Sequence, residues 1–190
     1  MRARWQRGDG GAAAVEFALI LPVFLTLVFG LISAGLAYFH KIGLTQDVRE
    51  SGRYAATYVD SSGNSVEANL NSYLNTVLDS LVRNASEAGD LKFVGTAPSA
   101  TLDTTDASQV VCAAYITAAG TVTRVSRGVA SLPAANGGAC YADGLGTNAG
   151  YPRVQVYAQG DARWNLLIFS SGPKVTFRSA TVYRYERPTT

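Results

Sequence analysis

One long apolar run dominates the first forty residues. Residues 17–39 form a stretch of 23 residues without a charged side chain. At about 1.5 Å per residue, a helix of this length crosses a hydrocarbon layer of ~30 Å. A core helix of a soluble protein is usually polar on one side, and this segment is not. The run therefore predicts a single transmembrane helix, in which Gly30 and Gly35 offer smooth faces for another helix.

A helical pattern continues past the apolar run. Leu44, Val48, Ser51, Ala55 and Val59 recur at helical spacing, and the charged residues between them fall on other sides. We expect the same helix to leave the membrane and to pack one stripe on a globular domain. A juxtamembrane helix that supports any sensor domain would give the same pattern.

A second helix is predicted after a polar break. Asn64, with Glu67 three residues later, is typical of a helix N-terminus, and Gly89 is the expected stop. Its apolar face, which we expect to be core, consists of Leu70, Leu74, Val77, Leu78 and Leu81.

Beyond Gly89 the sequence favours strands and turns. We predict a short strand at 91–94, a polar loop at 98–108, and a central strand at 110–116. That strand turns at 118–120 into a partner at 121–126. The glycine-rich stretch 128–150 is predicted to be a long loop.

Two strands are predicted near the C-terminus. Apolar residues alternate with Gln and Tyr over 154–159, which indicates a half-buried strand. The segment 174–186 has apolar residues on both faces, which requires a bulge or two covered faces. Between them, the apolar run 166–169 is either core or a contact patch for a neighbouring subunit or a membrane surface. The fold class is α+β, with a long N-terminal helix, a second helix and an antiparallel sheet.

Charge indicates how the helix is oriented. The chain has 16 Lys and Arg against 14 Asp and Glu, and Arg2, Arg4 and Arg7 precede the apolar run. Because positive flanks stay cytoplasmic, we expect a cytoplasmic N-terminus and an extracytoplasmic C-terminal domain. The other charges balance, which argues against a nucleic-acid partner. A cleaved secretory signal is the alternative, although its apolar region spans only about 7 to 15 residues.

Catalytic chemistry is scarce in the sequence. The single histidine, His40, stands at the membrane edge, so no His-based triad can be assembled. Residues 144–149 formally fit a dinucleotide fingerprint, but Pro152 would interrupt the helix that the motif needs. Asp103 and Asp106 are too few ligands for calcium. We therefore expect no enzyme activity, cofactor, metal or small-molecule substrate.

Cys112 and Cys140 are the two cysteines of the chain. They have no nearby His or further Cys that would suggest a zinc site. In an exported domain they are a candidate disulfide, worth on the order of 3 to 4 kcal/mol in the chain-entropy model. Two buried free thiols are the alternative.

Glu16 heads the apolar run, in the string G-A-A-A-V-E-F that starts at Gly11. A carboxylate near hydrocarbon is disfavoured and usually implies a partner, although Glu16 can simply mark the interface. The string resembles the processing site of type IV prepilins, in which a small residue is followed by four residues and a Glu. With A-V-E-F-A at 14–18 and R-E-S-G-R-Y-A at 49–55, the first third of the chain resembles the TadE-like minor pilin family of the tight adherence (Flp) pilus. Flp-type major pilins are far shorter and favour Glu-Tyr.

The resemblance implies cleavage by a prepilin peptidase between Gly11 and Ala12. It divides the chain into a leader (1–11), a transmembrane helix (12–40) and an extracytoplasmic pilin-like domain (41–190). Glu16 and Phe17 would serve assembly, with Glu16 neutralising the new N-terminal amine, its own or a neighbour's.

The implied partners are the membrane, the prepilin peptidase, other Tad or Flp pilins, and assembly-platform proteins. The implied location is the inner (cell) membrane, with incorporation into a pilus left open. The alternative function is a single-pass envelope domain that binds or senses a ligand without entering a filament.

Overall fold

The computed structural model describes residues 10–58, 66–88, 91–94, 101–103, 107–133, 138–142, 150–163 and 174–186. Within these residues, two helices pack on one face of a four-stranded antiparallel sheet, which confirms the predicted α+β class. The elements are α1 (Gly10–Thr57), a 3-10 turn (Val66–Asn69), α2 (Leu70–Ala88), β1 (Phe93–Val94), β2 (Thr101–Leu102), β3 (Val110–Ile116), β4 (Val122–Gly128), β5 (Arg153–Arg163) and β6 (Lys174–Arg184).

Helix α1 is a single helix of 48 residues that continues through Pro22. Its N-terminal part is long and apolar enough to cross a membrane, and that part is not buried by the rest of the chain. Its C-terminal part buries the predicted stripe, because Leu44, Val48, Ser51 and Ala55 are at most 2% exposed. The predicted extension of the helix is therefore confirmed, except at Val59, which lies outside the described residues.

Helix α2 buries the face that its sequence predicts. Leu74, Val77, Leu78 and Leu81 are fully buried, and Leu70 is partly buried against them. The helix is capped by Asn69, whose side-chain oxygen accepts a hydrogen bond from the Ser72 N–H at 3.3 Å. The predicted cap Asn64 and the predicted stop Gly89 lie outside the described residues. Glu67 accepts a hydrogen bond from the Tyr115 hydroxyl at 3.1 Å.

The four-stranded sheet of the described residues has the order β4-β3-β5-β6. Strand β3 spans the predicted residues, pairs on both sides and is entirely buried. Its turn into β4 has Gly120 at φ 87°, a conformation that favours glycine. Strand β4 starts one residue later than predicted and ends at Gly128.

The predicted polar loop 98–108 is partly wrong, because it contains β2. Strand β2 pairs antiparallel with β1, which lies within the predicted strand 91–94. The physical reason is Leu102, which buries its side chain in the core and leaves only 5% exposed.

Part of the face of the sheet opposite the helices is covered as well. Val110, Cys112, Ala114 and Tyr157 lie there and pack against Cys140 of the segment that follows β4. Cys112 and Cys140 form a disulfide with their Cα atoms 5.8 Å apart, and no free cysteine is left in the chain. The bond tethers the predicted long loop to the central strand.

Strand β5 is not half-buried as predicted, since all of its residues from 153 to 160 are buried. Gln155 explains the difference. Its side-chain oxygen accepts a hydrogen bond from the Cys140 N–H at 3.1 Å, and its side-chain nitrogen donates to the Tyr141 carbonyl at 3.3 Å. In a sequence, Gln usually indicates a solvent-exposed position. Gln155 is instead buried and binds the backbone of the segment that follows β4.

Strand β6 pairs with β5 residue for residue, from Arg184 opposite Arg153 to Lys174 opposite Arg163. Of the two alternatives for this segment, a bulge or two covered faces, the bulge is not present in this register. Ala180 is exposed on the face away from the helices, and Val182 on the same face is partly buried. The predicted features at 144–149 and 166–169 lie outside the described residues, as does Asp106.

Candidate functional site along the long helix

The residues that the sequence singles out for processing and assembly lie together at the tip of α1. Gly11, Ala12, Glu16 and Phe17 occupy its first turns, and all four are exposed. In the described part of the chain Glu16 has no ion-pair partner. The structure thus places a carboxylate at the end of an apolar helix, with no ion-pair partner for it among the residues that the structure describes.

Helix α1 consists of two parts, which we call the membrane half (residues 10–40) and the docked half (residues 41–57). From Glu16 to Leu44, the first strongly buried residue of the docked half, the helix rises roughly 42 Å. The large apolar residues of the membrane half that are more than half exposed are Val15, Phe17, Leu19, Ile20, Val23, Phe24, Leu27, Leu31, Ile32, Leu36, Tyr38 and Phe39. An apolar surface of this extent requires lipid or other helices around it.

Glycines distinguish the two halves. A Cβ atom added at Gly30 or Gly35 would meet nothing within 4 Å. A Cβ atom added at Gly52 would lie 2.6 Å from the Thr181 methyl group and 2.7 Å from the Tyr183 ring. The docked half therefore already uses its glycine for close approach to β6, whereas the glycines of the membrane half face open space.

The C-terminal end of α1 is held by side chains and by the end of the sheet. Helices leave their last carbonyl groups without partners inside the helix. Here the Tyr73 hydroxyl donates to the Ala55 carbonyl, and the Glu186 N–H donates to the Ala56 carbonyl at 3.3 Å. The Tyr185 hydroxyl donates to the Tyr58 carbonyl at 3.2 Å. Residues distant in sequence thus fix where α1 stops.

Five tyrosines surround this helix end and form what we call the tyrosine cluster, namely Tyr54, Tyr58, Tyr73, Tyr115 and Tyr185. Their rings meet mostly edge to face, with centroid distances from 5.4 Å to 6.3 Å. Burial raises the pKa of Tyr73, and the neighbouring Tyr185 and Tyr115 raise it further. Tyr73 is therefore a neutral donor. Sequence reasoning did not predict the cluster; its only signal was Tyr54 and Tyr58 one turn apart.

Residues 11–53 match the family model described as TadE-like protein. The match starts at the predicted cleavage site, includes Glu16 and ends in the docked half of α1. It covers less than a quarter of the chain. It confirms the resemblance inferred from the two motifs and relates the chain to the pilin-like proteins of the Tad pilus. No curated protein and no solved structure matches the chain.

The match thus relates the N-terminal helix of the chain to TadE-like proteins. Elsewhere in the described residues, no group of three or more His, Cys, Asp or Glu side chains could hold a metal ion. The buried Asp161 carboxylate lies 3.7 Å from the Lys92 ammonium group, an arrangement that joins β5 to the segment after α2.

Proposed function

We propose that the protein is a TadE-like minor pilin that takes part in assembly of a Tad (Flp) pilus. One observation carries the proposal: a single uninterrupted helix joins an exposed apolar half, tipped by Glu16, to a half that is docked into an α+β domain. Such a helix can pass from lipid into a bundle of like helices, while the domain stays outside the membrane. No active site is needed for this work.

Processing by a prepilin peptidase between Gly11 and Ala12 is the first step of the proposed function. Both residues are exposed at the start of α1. Cleavage would leave the new amine on Ala12, four residues before Glu16 and therefore one turn away on the same helix face. The cation would offset the desolvation cost of the carboxylate when both enter an apolar bundle.

Packing of membrane halves against one another is the second step. In lipid, helices associate through van der Waals packing, for which small residues allow a close approach. Gly30 and Gly35 present open surface for this purpose. The Glu16 carboxylate would pair with its own new amine or with that of a neighbouring subunit.

Processing can be tested on the full chain expressed with and without a prepilin peptidase. We expect intact mass and N-terminal sequencing of the membrane fraction to show a start at Ala12 only when the peptidase is present. Gly11→Val should block the cleavage, because it places a branched side chain at the cleavage site. Gly10→Val, at the adjacent glycine, is the matched control and should still be cleaved. A start that remains at Met1 with active peptidase, or that lies near Tyr38, would refute the proposal.

Assembly can be tested by crosslinking in intact envelopes. Glu16→Gln should leave membrane insertion unchanged but strongly reduce crosslinks to other pilins, because the carboxylate that pairs with the amine is lost. Glu50→Gln is the matched control, since Glu50 is an exposed carboxylate on the docked half, 3.6 Å from Arg53. Equal crosslinking of the Glu16→Gln variant and the native chain would favour the alternative of an anchored envelope domain that stays outside filaments.

A further inference from the structure

The covered face of α1 begins inside the apolar run. Ala37 is 8% exposed, whereas its neighbours Leu36 and Tyr38 are 58% and 64% exposed. The covered face continues toward the C-terminal end of α1 through Leu44 and Val48. The covered face of α1 therefore begins before His40 and Lys41, the first polar residues that follow the run.

The position of Ala37 fits the far boundary of a bilayer. From Glu16 to Ala37 the helix rises roughly 32 Å, close to the ~30 Å of a hydrocarbon core. With Glu16 at one boundary, Ala37 lies at the other. Tyr38, His40 and Lys41 then fall at the level of the lipid headgroups, where aromatic and basic residues are favoured.

The β5–β6 hairpin extends beyond the rest of the sheet at one end. The start of β3, Val110, pairs with Gln159, and the hairpin continues for four further residue pairs, from Gly160 opposite Phe177 to Arg163 opposite Lys174. At about 3.3 Å per residue, this extension is roughly 13 Å long.

The extension points toward the membrane half of α1. Strand β6 runs in the same direction as the helix, because Gly52 lies against Thr181 and the later Ala56 accepts a hydrogen bond from Glu186. From Thr181 back to Lys174 the strand spans roughly 23 Å. From Gly52 back to Ala37 the helix spans roughly 22 Å. For a strand and a helix that run side by side, these lengths bring the start of β6 to the level of Ala37.

From this geometry we infer that the domain rests directly on the lipid headgroups without a free stalk. The contact surface, which we call the lower rim, consists of Lys41 and the ends of β5 and β6 at Arg163 and Lys174. Lys41 is exposed, and its cation suits the phosphates of anionic lipids. The inference requires membrane anchoring but not pilus assembly. If the protein is also a pilin, extraction into a filament must lift the lower rim from the lipid as well as withdraw the helix.

Depth-dependent fluorescence quenching can test the lower rim in the full chain. Since both native cysteines are in the disulfide, a single introduced cysteine can be labelled selectively without reductant. The exposed positions Thr176 near the rim and Glu186 at the far end, separated by roughly 33 Å along the strand, are the test pair. Lys41→Cys serves as the reference for headgroup level.

Each labelled variant would be placed in nanodiscs with and without lipids that carry a nitroxide on the headgroup. We expect Thr176→Cys to be quenched about as strongly as Lys41→Cys, and several-fold more strongly than Glu186→Cys. Ala180 lies between these two positions on β6, and we expect the quenching of Ala180→Cys to be intermediate. This third variant keeps the test decisive if one of the others does not fold.

Three results would overturn the inference. Equal weak quenching at Thr176 and Glu186 would show a domain held away from the bilayer. Equal strong quenching would show a domain lying on its side. Weak quenching at Lys41 itself would place this membrane boundary nearer to Glu16 than inferred. None of these results bears on crosslinking to other pilins, so the two proposals fail separately.

Discussion

The two halves of α1 share one backbone but differ in how their apolar side chains are distributed. The membrane half is apolar on all sides, and most of its large side chains are exposed. The docked half is apolar on one stripe and polar elsewhere, with Arg49, Glu50 and Arg53 exposed. Because all helical backbone hydrogen bonds are made within the helix, it can pass from one environment to the other without interruption. The distribution of apolar and polar side chains alone therefore determines which surroundings each half of α1 requires.

Replacing one leucine by alanine in each half of α1 should show the difference between their two environments most clearly. Leu44→Ala removes a side chain that is 2% exposed, and we expect a loss of about 2 to 5 kcal/mol in the unfolding free energy of the domain. Leu36→Ala, at a side chain that is 58% exposed, should leave that free energy unchanged. Urea unfolding of the full chain in mild detergent, followed by near-UV circular dichroism, measures both. Equal losses would mean that the domain also packs on Leu36.

Removing the disulfide should weaken the domain without affecting the membrane half. In Cys112→Ala/Cys140→Ala we expect a loss of about 3 to 4 kcal/mol, because the unfolded chain regains the freedom of the closed loop. Membrane insertion, measured by carbonate extraction, should be unchanged. If unfolding in urea is the same for this variant and the native chain, the tether contributes nothing to stability.

The glycines provide a test of close packing in the same helix. Gly52→Ala forces a Cβ atom against Thr181 and Tyr183, an overpacking that costs roughly 1 to 3 kcal/mol. The better helix propensity of alanine offsets at most about 1 kcal/mol of this. We expect a net loss of domain stability for Gly52→Ala and no change for Gly30→Ala, measured by the same urea unfolding. A stabilised Gly52→Ala variant would contradict the close contact with β6.

The hydroxyl of Tyr73 should make a smaller contribution to the stability of the domain. Tyr73→Phe leaves the buried Ala55 carbonyl without its donor, which we expect to cost roughly 1 to 2 kcal/mol. Tyr38→Phe is the control, because Tyr38 is 64% exposed on the membrane half. Thermal unfolding of both variants would show a lowered midpoint for Tyr73→Phe only. An unshifted midpoint would mean that the Ala55 carbonyl is satisfied in another way.

The raised pKa of Tyr73 predicts weakening at high pH. Burial raises this pKa above its ordinary value of about 10, so the unfolded chain releases the proton at lower pH than the folded chain. The stabilisation is complete below pH ~10 and is lost as the pH rises above that value. Urea titrations between neutral and alkaline pH should show the decline, and it should be smaller in Tyr73→Phe. An equal decline in both proteins would assign it to other groups.

Much of the architecture follows from the periodicity of apolar residues. The stripe on the docked half, the buried face of α2 and the central strand β3 were all predicted, because each buries a set of apolar side chains at a regular spacing. Strand β5 was predicted with one solvent face because Gln155 and Gln159 are polar. Both are instead buried as hydrogen-bond partners of backbone carbonyls, Gln159 with that of Ser108. Periodicity does not reveal such partners, because they come from distant segments.

The candidate site was predicted only in its local part. Gly11, Ala12, Glu16 and Phe17 were singled out because they follow one another in a short motif, and their roles stay predictions. The tyrosine cluster was missed because Tyr73, Tyr115 and Tyr185 approach the end of α1 only in the folded domain. No spacing in the sequence relates them.

The contact between the first and last elements of the fold has a consequence for biogenesis. Strand β6 and Glu186 secure a helix that starts at Gly10, so the domain cannot close until β6 and the residues just after it are available. Until then the stripe of Leu44 and Val48 stays uncovered. A chaperone that shields this stripe would therefore speed maturation, and a chain that lacks β6 would be left open and protease-sensitive.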